Sequence, residues 1–118
     1  MGTDNIILTK SYQFAIKIIQ FSVLLKANSH FEISSQLLRS GTSIGANVEE
    51  AVGGQSRKDF VAKLSISYKE ARESHYWLRL IRDSKIYISS EVDHLITDCE
   101  EILKILTAIL NKMRANGF

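Results

Sequence analysis

Proline is absent from this 118-residue sequence, so nothing in it removes a backbone donor from the middle of a helix. Glycine occurs only six times, and neither a P-loop, a dinucleotide fingerprint nor a nucleophile elbow can be found. Cys99 is the single cysteine, which excludes an intrachain disulfide. No charge sign dominates: 15 Lys and Arg against 13 Asp and Glu leave +2, too little to argue for a nucleic-acid partner, so only a local patch can carry that argument. No apolar run approaches the ~20 residues that span a bilayer. The start, MGTDNIILTK, lacks the basic segment and long apolar run of a signal peptide. Ile6 stands where a myristoylation site needs Ser or Thr. The expected location is the cytoplasm, with no membrane partner.

What is present is helical periodicity. Hydrophobic residues make up 45% and charged residues 24%, the balance of one folded domain over residues 1–118. Phe14, Ile18, Phe21 and Leu25 mark a first helix from Thr9 to Lys26, with Asn28 as its C-terminal cap residue. Ile16, Ile19, Val23 and Leu24 lie off that stripe, so the helix is apolar on more than one side. Ile33, Leu37, Ile44, Val48 and Ala51 mark a second helix, from Phe31 or Ser34 to Val52, ended by Gly53-Gly54 as a left-handed cap. Ser56 and Asp59 form a capping box for a third, Arg57 to Arg82, with Phe60, Leu64, Ser67, Ala71, Leu78 and Ile81 on one side. Ile86, Tyr87 and Ile88 are expected to cover the bundle end. A fourth helix starts near Ser90, capped there with Asp93 at N3, and keeps its stripe from Val92 through Cys99 to Met113. Four helices with short connections predict an all-α, antiparallel up-down-up-down four-helix bundle.

Candidate chemistry is sparse. His30, His75 and His94 have no ligand partner at metal spacing, and Glu70-x-x-Glu73 lacks the histidine of a di-iron bundle, so no metal or other cofactor is expected. Cys99 lies on an apolar stripe, which reads as a buried structural thiol. Gly53-Gly54-Gln55-Ser56 precedes a helix and can hold an anion there, although a capping turn is the simpler reading. With no converging acid, base or metal, the chain reads as a non-enzyme.

Binding and packing signals are stronger. On the third helix Lys58, Lys69, Arg72 and Arg79 fall within roughly 80° of arc, with Tyr76 among them, a pattern suited to phosphates and bases. The competing reading is a solvated face neutralised by Glu70 and Glu73. Arg39 and Arg57 are candidates to extend the patch. Gly41 and Gly45, four residues apart, each cost about 1 kcal/mol in a helix, so another backbone is expected to pack closely there. Ser43, Asn47 and Glu73 near the bundle-facing surfaces are read as a polar network that fixes helix register. Ile66, Trp77 and Leu80 form a second apolar group on the third helix and are read as an oligomer interface.

The run from Leu37 to Leu80 resembles the four-helix bundle proteins first described from intervening sequences in bacterial 23S ribosomal RNA genes. The accessory variability determinant of diversity-generating retroelements is a relative. The matching residues are Leu37, Arg39, Ser40, Ser43-Ile44, Asn47 and Glu50, then Gly53, Ser56, Lys58, Phe60, Leu64-Ser65-Ile66, Ala71-Arg72-Glu73 and Tyr76-Trp77-Leu78. The sequence departs from the family where many members carry Pro at the position of Gly45 and Arg at Gly54 and Gln55, which weakens any nucleic-acid role for that loop. The resemblance implies a ring-like homopentamer. Combined with the basic stripe, it leads to the expectation of a small oligomeric nucleic-acid-binding or accessory scaffold protein. Its partners would be itself, RNA or DNA, and a reverse transcriptase or other protein. The alternative is a protein–protein adaptor without nucleic-acid activity.

Overall fold

The computed structural model describes residues 3–117 as four helices: α1 (Thr3–Ala27), α2 (Phe31–Val52), α3 (Arg57–Ser84) and α4 (Ser90–Ala115). Each packs on its neighbour in sequence, and α4 closes back on α1, giving the antiparallel up-down-up-down bundle. The longest dimension is 46 Å, close to the ~42 Å rise of the 28-residue α3 at 1.5 Å per residue.

The first helix starts six residues earlier than its periodicity suggested. Ile7 and Ser11 continue the buried stripe of Phe14, Ile18, Phe21 and Leu25, so the same core face carries the helix back to Thr3. The stripes expected on α2, α3 and α4 supply the rest of a single core, with Phe60, Ile33, Leu103 and Met113 at its partly buried edge. Ser56 caps α3 by accepting from the Asp59 amide at 3.1 Å.

Helix ends differ from the expected chemistry in four places. Ser29, not Asn28, takes the left-handed conformation (φ 67°), while the Asn28 side chain donates to the Leu24 carbonyl at 2.8 Å. Gly53 has φ −81°, not a left-handed value; its amide and that of Gly54 donate to the Glu49 and Ala51 carbonyls with right-handed geometry. Ser89 caps α4, one residue before the expected position, by accepting from the Glu91 amide at 3.1 Å. Of the three residues expected to cover the bundle end, only Tyr87 does so, edge-on to Phe21 with ring centroids 5.5 Å apart; Ile86 and Ile88 are exposed.

The two α2 glycines pack against α1. A Cβ on Gly45 would stand 3.2 Å from the backbone oxygen of Ser11, so this is the close backbone approach expected. A Cβ on Gly41 would meet the Ile18 side chain at 2.8 Å, so this glycine makes room for a core residue and not for a backbone. On the outer side of α1, Tyr12, Ile16, Ile19 and Val23 are exposed and fall within roughly 60° of arc. Among the described residues, no helix is long and apolar enough to cross a membrane.

Candidate nucleic-acid interface

Charge on α3 is sorted by flank. Its two mid-helix carboxylates, Glu70 and Glu73, face α2, where the Arg39 guanidinium takes both: Nη1 lies 3.2 Å from Glu70 Oε1, and Nη2 pairs with Glu73 Oε2. Glu73 also accepts from the Trp77 indole Nε1 at 2.9 Å. That indole hydrogen bond, with Arg39 behind it, holds the Glu73 carboxyl below its ordinary range. The acids proposed to neutralise the basic stripe are therefore engaged elsewhere, and Arg39 serves them and does not extend the stripe.

The expected binding residues Lys58, Lys69, Arg72, Tyr76 and Arg79 are all exposed. Among the described residues, no carboxylate lies within ion-pair distance of these four cations. Arg72 leans over the Tyr68 ring at 6.0 Å from its centroid, with Nη1 3.4 Å from the phenolic oxygen. Arg79 donates to the His75 carbonyl at 3.4 Å. Tyr76 instead sits edge-on to Trp77, with centroids 5.2 Å apart.

The structure adds two residues to the stripe. Tyr68, Arg72, His75 and Arg79, together with Leu103 of α4, line a cleft of about 330 Å³ on the α3–α4 seam. Tyr68 and His75 continue the i, i+4, i+7, i+11 spacing through Arg72 and Arg79, a signal present in the sequence, where His75 is weighed only as a metal ligand. His75 Nε2 lies 3.0 Å from Glu100 Oε2 of α4.

The polar network expected from Ser43, Asn47 and Glu73 does not form. Ser43 Oγ donates to the Arg39 carbonyl at 2.7 Å and Asn47 Nδ2 to the Ser43 carbonyl at 2.9 Å, both within α2. Glu73 is occupied by Trp77 and Arg39. Short side chains that can reach a carbonyl one turn back satisfy themselves locally. The buried polar links between helices are serines instead: Ser74 Oγ to Ser40 Oγ at 2.8 Å, Ser67 Oγ to the Ile44 carbonyl at 2.9 Å, and Ser34 Oγ to the Ser22 carbonyl at 2.9 Å.

Of the residues read as an oligomer interface, Ile66 and Leu80 are exposed, whereas Trp77 is half-buried against its own core. Cys99 is buried, donates to the Ala71 carbonyl and has its thiol pushed up to about 12 by burial, which removes it as a nucleophile. Among the described residues no group of three His, Cys, Asp or Glu side chains is placed to hold a metal. Ser56 is committed to its cap, so the Gly53–Ser56 loop is accounted for as a capping turn.

The family described as 23S rRNA-intervening sequence protein matches residues 3–108. A crystal structure of a protein of unknown function from the S23 ribosomal protein family of Bacteroides thetaiotaomicron is similar at 41% identity and a TM-score of 0.87, covering 92% of this chain and 98% of that one. No curated protein matches the sequence.

Proposed function

The chain belongs to the 23S rRNA-intervening sequence protein family, and we propose that it is a small, oligomeric, non-enzymatic scaffold that binds nucleic acid through the basic face of α3. The observation that carries this reading is the separation of charge on α3: its central acids are held by Arg39, while Lys58, Lys69, Arg72 and Arg79 are left open to solvent. Four cations on one exposed line, with no carboxylate at ion-pair distance among the described residues, attract a polyanion by counterion release. No base-reading module accompanies them, so binding is nearly sequence-blind.

Mobility shifts with RNA and with DNA at two salt concentrations test the proposal. Binding should weaken steeply with salt, and Lys69→Ala combined with Arg72→Ala should lower the slope of log K against log salt by about 2. Binding indifferent to salt, or to the double substitution, contradicts it.

A second reading, a protein–protein adaptor, is favoured by the exposed apolar line of Tyr12, Ile16, Ile19 and Val23 on α1. A neighbouring reverse transcriptase gene, or a surrounding ribosomal RNA gene, favours the nucleic-acid reading over it.

A further inference from the structure

The α3–α4 seam offers more than a flat charged surface. Its cleft, about 330 Å³, lies at the lower end of the range for small-molecule sites. Arg72 and Arg79 stand two turns apart, about 10.5 Å along the axis, with His75 between them. Guanidinium groups are suited to bidentate contact with phosphate oxygens, and neither of these is held by a carboxylate among the described residues. Arg72 lies over the Tyr68 ring at 6.0 Å from its centroid, so a cation and an aromatic surface that an unpaired base can use stand side by side. The Arg72 hydrogen bond holds the Tyr68 hydroxyl below its ordinary pKa, and Arg114 of α4 adds to the same positive field. Leu103 supplies the apolar wall from α4. Glu100, paired with His75, is the adverse charge at the rim.

We propose that this cleft seats one unpaired nucleotide of a single-stranded nucleic acid, with its phosphate between Arg72 and Arg79 and its base against Tyr68 and Leu103. The inference rests on the α3 face being a nucleic-acid surface and narrows its ligand to single strands. A duplex presents its phosphates to the same arginines but keeps its bases stacked and paired, and extruding one is costly. The wall formed by Tyr68 and Leu103 then contributes only to the single strand.

Fluorescence anisotropy with a short labelled single strand and with the matching duplex tests this on the intact chain. The single strand should bind about tenfold more tightly than the duplex, a difference within the range of one base–aromatic contact. Arg79→Ala should remove most of that preference, whereas Arg82→Ala, which takes a cation already paired with Asp83, should preserve it. Glu100→Gln should tighten single-strand binding by about threefold to tenfold by clearing the rim of its carboxylate. Glu101→Gln, the same charge change on a residue paired with Lys10 of α1, should not. Equal affinity for both forms, or equal effects of the two glutamine substitutions, overturns the cleft and leaves the basic face intact. Absence of salt-dependent binding to either form overturns both. Unchanged helicity of each variant by circular dichroism ties these outcomes to binding.

Discussion

At the scale of single residues, the bundle is shaped most by what α2 leaves out. Gly45 lets the α1 backbone approach, and Gly41 leaves room for Ile18. Leucine at either position inserts a side chain where α1 already stands, and overpacking of this kind typically costs about 1–3 kcal/mol. Gly41→Leu and Gly45→Leu should each lower the thermal midpoint measured by circular dichroism, and midpoints equal to that of the parent would contradict this packing. The glycine spacing was legible in the sequence because two poor helix formers on one face need a reason. Buried serines were legible only in part. Ser67 falls on the core stripe of α3, but the bond between Ser40 and Ser74 is visible only when α2 and α3 are laid together. Capping was legible at Ser56, where the side chain makes the bond, although the side-chain cap of α4 falls on Ser89, one residue off. Capping was not legible where backbone geometry decides, as at Gly53 and Ser29.

At the scale of elements, α3 divides its charge between two flanks, and α2 determines the division. The basic stripe could be read from spacing alone. Its neutralisation could not, because Glu70 and Glu73 are close enough in sequence to serve it and are turned away by Arg39 on another helix. This junction has a pH signature. The Glu73 carboxyl, held down first by the Trp77 indole and then by Arg39, titrates below its ordinary 4.5 in the folded protein. A depressed acid stabilises the fold fully above its unfolded value, and that contribution is lost as pH falls through the folded one. Thermal midpoints followed from about pH 6 to about pH 3 should therefore fall less steeply in Glu73→Gln than in the parent. Parallel acid limbs would show that the α2–α3 junction does not depend on this charge. The α1–α4 seam is closed at its surface by Lys10–Glu101 and Lys17–Asp98, exposed pairs of the kind that contribute little to stability.

At the scale of the whole molecule, the decisive feature is apolar surface left over once the core is full. Tyr12, Ile16, Ile19 and Val23 line the outside of α1, and Ile66 and Leu80 lie exposed on α3. An excess of apolar positions was legible in the sequence, since α1 carries them off its core stripe. Which of them the fold itself buries was not, because periodicity shows that a face is apolar but not what packs on it. Trp77 shows the difference: read as interface, it spends much of its surface on its own core and its indole on Glu73. The proposed assembly covers the remaining faces between copies of the chain and repeats the basic face of α3 around a closed ring. Repetition turns modest individual contacts into useful affinity, provided one strand can reach several copies. The count of five comes from the family resemblance and not from the geometry of one chain. Light scattering coupled to size exclusion, on the protein alone at micromolar concentration, tests the assembly most directly. The predicted result is a discrete species at five times the 13.3 kDa chain mass. A different discrete multiple corrects only the count, and a 13.3 kDa monomer contradicts the assembly itself.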